Sequence, residues 1–334
     1  MVIDLPFIWA GLIAIAVLAY VLLDGFDLGV GILFLSYEPG QQRDIVMNSV
    51  APVWDGNETW LVLGGGGLLA VFPLAYAVVM PALYAPIIAM LLALIFRGVA
   101  FEYRWRTQRG RYLWDWSFAF GSFVATFAQG IALGALVQGI AVEDRAYAGG
   151  WWDWLTPFSV LCGAALVVGY TLLGSTWLVL KTEGDIQAQA REYAQRAGFA
   201  TLALIGFVSI ATPFHNPVYF ERWFDWPTSI FSAIVPVLVL GCAYLLFNGL
   251  RRKYDAQPFF ASLGIFVLCF IGIGISFYPY MVPPNLTIWQ AAAPDDSLLF
   301  LLVGAVVLLP LIIAYTAYAY WVFRGKVDAE TGYH

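Results

Sequence analysis

Apolar runs recur from one end of this chain to the other, and no other feature narrows its fold as much. A bilayer core about 30 Å thick takes about 20 apolar residues as a helix, because a lipid-exposed backbone must satisfy its N–H and C=O groups within one segment. Nine runs approach or meet that length, at about 7–35, 46–73, 76–103, 114–140, 155–180, 198–213, 228–249, 259–281 and 298–323. They predict an all-α polytopic membrane protein, with residues 1–334 as a single integral membrane domain. Composition agrees: 61% of residues are hydrophobic and 11% charged, where soluble domains carry about a quarter charged. The net charge of −6, with few basic residues and those in loops, excludes a nucleic-acid-binding face. The N-terminus carries Asp4 and no Lys or Arg, so the first run is expected to remain as a helix rather than leave as a signal peptide.

The basic residues orient the runs. All but Arg145 and Arg222 of the sixteen Lys and Arg fall in alternate connections, with Arg97, Arg104, Arg106, Arg109 and Arg111 clustered around one of them. The positive-inside rule makes that side the cytoplasm, the N-terminus outside and the C-terminus inside, as nine spans require. Trp151, Trp152 and Trp154, and again Trp223 and Trp226, gather at the outer ends of runs, as an interfacial aromatic belt does. The longest inner connection, about 182–197, has mixed charge and reads as a short separate helix.

Two stretches break the apolar pattern. Asp24-Gly25-Phe26-Asp27-Leu28-Gly29-Val30-Gly31 interrupts the first run, and Trp54-Asp55-Gly56-Asn57-Glu58-Thr59-Trp60 opens the apolar half of the second. An acid within hydrocarbon costs about 3 kcal/mol on insertion scales, so it has a function or a partner. With the first run descending from outside, Asp24 lies ~17 residues, or 25 Å, below its start. Asp55, ~9 residues into the ascending second run, falls at the same inner depth, near Arg97 and Glu102. Asp24 and Asp27 share a helix face, as do Asp55 and Glu58. Gly25, Gly29 and Gly31, and Gly64 to Gly67, strip bulk so that neighbouring helices can approach. Carboxylates gathered this way suit a proton relay, with Asp24 and Asp55 its main members, Arg97 their counter-charge and Glu102 an uptake group at the mouth. The competing reading is that acid–arginine and acid–amide bonds glue helices together. Trp54 and Trp60 read as packing or as part of an access route. Gly64–Gly67 lacks the Lys-Ser/Thr of a phosphate loop. Asp295 and Asp296 suit the N-terminus of the last helix, and Pro310 marks a bend in it. Cys162, Cys242 and Cys269 sit in apolar runs at spacings that match no metal pattern and read as inert thiols. Of two histidines, His215 falls in a polar break and His334 is the last residue, which leaves no intramembrane imidazole for a haem.

Those stretches carry a resemblance. With Asn48-Ser49-Val50-Ala51-Pro52-Val53 leading into Trp54–Trp60, then Phe96-Arg97-Gly98-Val99-Ala100-Phe101-Glu102-Tyr103-Arg104, Trp114-Asp115-Trp116, Gly121-Ser122-Phe123, Phe277-Tyr278-Pro279-Tyr280-Met281-Val282-Pro283-Pro284 and Leu286-Thr287-Ile288-Trp289, the chain resembles subunit II of the cytochrome bd ubiquinol oxidases. The motifs follow in order over nearly the whole chain, and its compact length resembles the cyanide-insensitive branch. The resemblance implies two four-helix bundles plus a peripheral helix. It also implies an obligate heterodimer with subunit I, which carries low-spin haem b, high-spin haem b and haem d and binds quinol. It leaves room for a structural quinone and a small single-helix accessory subunit. The complex would sit in the bacterial cytoplasmic (inner) membrane, reduce oxygen to water with quinol, and draw protons from the cytoplasm without pumping. Positions matching Asp24 and Asp55 belong to the family's proton path. The acid matching Glu102 is often Asp, and Trp60 matches a position lining an oxygen route in some members. Two other classes fit the intramembrane acids: a proton-coupled transporter working alone, and a purely structural membrane subunit.

Overall fold

The structure, a computed structural model, describes residues 4–327; His334 lies outside them. Thirteen α-helices are joined by short turns: α1 Leu5–Leu33, α2 Gln41–Asn48, α3 Trp54–Val71, α4 Pro73–Ala82, α5 Tyr84–Arg106, α6 Arg111–Gln138, α7 Pro157–Lys181, α8 Gly184–Ala211, α9 Pro217–Phe224, α10 Thr228–Arg251, α11 Ala256–Phe277, α12 Ile288–Ala291 and α13 Asp295–Val322. Eight of them (α1, α5, α6, α7, α8, α10, α11 and α13) are long and apolar enough to cross a membrane. The ninth rod is α3. Its 18 residues reach about 27 Å, but Asp55, Asn57, Glu58 and five glycines lower its hydropathy. It lies antiparallel to α1, with Asn57 level with Leu23 and Asp27 and Gly64 and Gly67 level with Val17 and Ile13.

α1, α3, α5 and α6 pack as one group of four and α7, α8, α10 and α11 as a second, joined along α1–α7 and α6–α7, with α13 against α1 and α3. The expected all-α membrane architecture is what forms. Small residues set the closest approaches. A Cβ on Gly29 would collide with the Tyr170 carbonyl oxygen, and one on Gly174 with the backbone of Gly29, so α1 and α7 touch main chain to main chain. Gly31 abuts Ser122 of α6, and a Cβ on Gly121 would come within 2.7 Å of the Ala93 carbonyl oxygen on α5. The Gly64–Gly67 run divides: Gly67 faces Ile13, while a Cβ on Gly65 or Gly66 would meet nothing within 4 Å.

Three expected boundaries are corrected. The second run does not form one helix over 46–73. Residues 41–48 make the short α2, turns follow through Pro52, and α3 begins only at Trp54, because proline has no N–H and disfavours helix in the residue before it. The third run likewise starts at Tyr84 rather than 76. Phe72 precedes Pro73, α3 ends there, and Pro73 opens α4, which buries Ala75, Val78 and Ala82 beside Leu5, Trp9 and Leu298. The connection 182–197 is no separate helix. It is the start of a continuous α8, whose Ile186, Ala190, Ala194 and Ala197 are buried at helical spacing, since no proline or internal glycine stops the helix before the apolar part begins.

At the end opposite the arginine cluster, two hairpins, β1 Val142–Glu143 with β2 Ala146–Tyr147 and β3 Tyr280–Val282 with β4 Leu286–Thr287, close the bundle. They meet where Asn285 Nδ2 donates to the Ile140 carbonyl at 2.8 Å. Gly139 ends α6 with φ +97° and would set a Cβ 3.1 Å from Pro284, so both conformation and space call for glycine there. At the arginine-rich end Asp115 receives Arg43 at 2.8 Å and Arg104 at 2.6 Å, and Asp44 receives Arg104 at 2.8 Å and Arg111 at 2.5 Å. This network ties α2, α5 and α6 together. Asp295 and Asp296 occupy the first turn of α13, and Pro310 lies within that helix. The three cysteines are free and buried or half-buried.

Candidate functional site

Arg97, midway along α5, is wholly buried, and its place follows from its neighbours' small residues. Gly121 lets α6 pass against its backbone, and Gly98 leaves room for the Trp54 ring. Its guanidinium faces the start of α3 and the C-terminal half of α1. Nη2 lies 3.0 Å from Asp24 Oδ1, both side chains having no exposure, and Nη1 lies 3.5 Å from Glu58 Oε2, whose side chain is 24% exposed. Trp54 and Phe101 stack on each other at 4.6 Å, and the guanidinium lies 5.9 and 5.8 Å from their ring centroids. One cation thus joins three helices and faces two acids and two aromatic rings. This arrangement compensates buried charge in the way a low-dielectric site requires.

Asp27, one turn along α1 and also wholly buried, accepts a hydrogen bond from Asn57 Nδ2 at 2.7 Å. The same Nδ2 donates to the Leu23 carbonyl at 3.2 Å, and Asn57 Oδ1 accepts from the Tyr320 hydroxyl of α13 at 2.9 Å. Toward the N-terminus of α1 the file continues: Tyr20, four residues before Asp24, accepts from Gln129 Nε2 at 2.7 Å, and Gln129 Oε1 accepts from the Tyr170 hydroxyl at 3.2 Å. Both carboxylate oxygens of Asp24, and Asp27 Oδ1, are buried with no hydrogen-bond partner among the described residues, as are Arg97 Nε and Nη2, so Arg97 meets Asp24 as an ion pair.

Of the residues singled out in the sequence, Asp24, Asp27, Glu58 and Arg97 come together. Asp55 and Glu102 do not. Asp55 is exposed and stands in the first turn of α3, not nine residues into a helix. Pro52 delays the helix start, and an acid in that turn suits the helix N-terminus. Its side chain faces away from α1, on the surface of this chain. Glu102 is exposed and lies 3.8 Å from Arg106, its i+4 neighbour, well apart from the buried acids. Trp54 is half-buried in its stack, and Trp60 packs against Ala16 and Tyr20 with its Nε1 unpartnered among the described residues. Sequence reasoning missed Tyr20, Gln129, Tyr170 and Tyr320. Tyr20 carried a faint signal, one turn from Asp24 on an apolar helix. Tyr320 carried none, since a tyrosine near the end of a span ordinarily marks the interface.

The one histidine among the described residues, His215, is exposed beyond α8, its ring 4.4 Å from that of Phe158, and no group of three or more His, Cys, Asp or Glu among them is placed to hold a metal ion.

Over 98% of its length the chain is 32% identical to cytochrome bd-I ubiquinol oxidase subunit 2 of Escherichia coli (strain K12), covering 96% of that protein. It is 30% identical to cytochrome bd ubiquinol oxidase subunit 2 of Bacillus subtilis (strain 168), over 96% of each. Its fold matches a chain in the structure of bd oxidase from Geobacillus thermodenitrificans, with a TM-score of 0.79 at 20% identity over 96% of this chain and 99% of that one. Residues 5–323 match the family described as cytochrome bd terminal oxidase subunit II, and the chain belongs to that family.

Proposed function

We propose that this chain works as subunit II of a quinol:oxygen oxidoreductase, paired with a haem-bearing subunit I, and that its buried acid–arginine cluster is part of the path that brings protons to the partner's oxygen-reducing site. The observation that carries this reading is Arg97, unexposed, between Asp24 and Glu58 on two other helices. Three acids converge at one depth, and one of them, Glu58, reaches the chain's surface. The arginine-rich end faces the cytoplasm by the distribution of basic residues. Asp24 and Asp27 are the interior members, each with a carboxylate oxygen free to take up a proton. Glu58 connects them to the surface. Asp55, exposed three residues earlier on α3, is the member offered to subunit I. Glu102 sits outside the path as a solvated charge.

Haem, bound in subunit I, supplies the redox chemistry. The residues of this chain hold charge, exclude water and carry protons. Trp54 and Phe101 wall one side of the guanidinium, and the α1–α7 backbone contact at Gly29 holds α1 in place beside the cluster. Asn at position 24 or 55 keeps size and most hydrogen bonds but cannot ionise, so a structural role tolerates it and proton carriage does not. Expected is a large loss of quinol-driven oxygen consumption in Asp24→Asn and Asp55→Asn complexes that retain full haem. Near wild-type respiration in both would leave the cluster as helix glue, and activity of this chain without a haem-bearing partner would favour a transporter.

A further inference from the structure

We infer that Tyr320, on the peripheral helix α13, is a positioning residue for the buried acids, and that the chain segment after α13 is a strap that seats it. This rests on the proton-path reading above.

The amide of Asn57 settles its own orientation. The Leu23 carbonyl only accepts, so the group 3.2 Å from it must be the NH₂, and the same NH₂ reaches Asp27 Oδ2 at 2.7 Å. Its carbonyl oxygen must then face Tyr320, whose hydroxyl donates to it at 2.9 Å. Donors therefore run one way, from Tyr320 to Asn57 to Asp27. The hydroxyl holds the amide so that Asp27 is an acceptor at Oδ2 and keeps Oδ1 free.

α13 needs holding to do this. Most of its surface is exposed, Leu298 being its one fully buried residue. It is pinned near its outer end, where Trp9 Nε1 donates to the Leu298 carbonyl at 3.0 Å. Its inner end is held by an exchange of lysines. Lys181, the last residue of α7, donates to the carbonyls of Phe323 and, at 2.8 Å, Gly325. Lys326 donates back to the Thr182 carbonyl at 2.9 Å and to Asp255 at 2.8 Å, and Val327 N–H donates to the Lys181 carbonyl at 2.8 Å. The strap also reaches the Tyr320 ring through Lys181 and Trp177. Lys181 Nζ lies 5.3 Å from the Trp177 ring centroid, and Trp177, stacked on Phe26 at 4.1 Å, meets the Tyr320 ring edge-on at 6.3 Å. Among the described residues the Tyr320 hydroxyl makes the one side-chain hydrogen bond from the last helix to the site.

The test uses the assembled oxidase in membranes. Tyr320→Phe keeps the ring and removes the hydroxyl. It should lower kcat per haem about fivefold, the worth of one neutral hydrogen bond, with the KM for quinol unchanged. A residue needed only for stability would reduce the yield of complex and leave kcat per haem intact. In an Asn57→Leu background Tyr320→Phe should cost no more than about a further twofold, since the two act as one unit. Lys181→Met with Lys326→Met, far from the acids, should lower kcat per haem in the same direction and decides the matter if Tyr320→Phe fails to assemble. Full kcat in Tyr320→Phe, or independent multiplicative losses with Asn57→Leu, overturns the inference. An Asp24→Asn control separates the two readings. If Asp24→Asn is inactive while Tyr320→Phe is wild-type, only the role of Tyr320 falls; if Asp24→Asn respires fully, the proton path falls and this inference with it.

Discussion

Arg97→Met is the substitution that most directly tests how the site is held. Methionine is close in volume and apolar, so the change removes charge with little loss of packing. It leaves Asp24, with no exposed side-chain surface and its nearest cation gone, uncompensated in the bundle. Removing one partner of a buried ion pair costs about 3–5 kcal/mol. Glu58, 24% exposed, is screened by its surroundings and adds less. Loss of the two ring contacts adds about 0.5–2 kcal/mol each. At one decade per 1.36 kcal/mol, the ratio of intact to disrupted complex should fall by on the order of 10²-fold or more. The assay is the half-life of haem absorbance in purified complex held at a fixed elevated temperature. Adding Asp24→Asn to Arg97→Met removes both charges, so the double variant should recover most of the loss. If Arg97→Met matches wild type, or the double variant is no better than the single, the cluster is not held by this ion pair and the reasoning fails.

Gly29→Ala should lower assembly and heat resistance by about 1–3 kcal/mol, because its Cβ collides with the Tyr170 carbonyl, whereas Gly11→Ala, with nothing within 4 Å, should be neutral; equal behaviour of the two would contradict the close α1–α7 contact. Single cysteines replacing Arg109 and Arg145 should react with an impermeant thiol reagent from opposite sides of the membrane, Arg145→Cys from outside, and labelling of Arg109→Cys in intact cells would reverse the assigned orientation. Expressed without subunit I, this chain should show no stoichiometric haem bands in a reduced-minus-oxidised spectrum, since the one described histidine is exposed beside Phe158; such bands would place a haem here.

Much of the site's membership was legible from residue type alone. Asp24, Asp27, Glu58 and Arg97 stood out because charge in hydrocarbon is costly enough to be rare, and the structure brings them together. Asp55 stood out for the same reason and lies instead on the surface of this chain. A five-residue turn ending in Val53 moved the helix start, and with Asn57 turned to α1, Asp55 two residues earlier stands about 200° round the helix. Glu102 is exposed beside Arg106 on α5, where an uptake group at the mouth and a solvated end charge look alike. Tyr320 was out of reach, since only the packing of α13 against α3 brings residue 320 to residue 57.

The sequence by itself determined that this chain spans a membrane as helices, roughly where most of its spans lie, and which residue types stand in the bilayer at a cost. Those properties are local, because each helix satisfies its own backbone and hydropathy accumulates along a single segment. Tertiary structure alone decided which acids share Arg97, that α1 meets α7 at Gly29 and Gly174, and that the last helix supplies a hydroxyl to the first buried pair. Helices in lipid have no hydrophobic drive to choose a neighbour. Their pairing follows from where small residues permit contact and where polar groups find partners, and both are properties of two surfaces together.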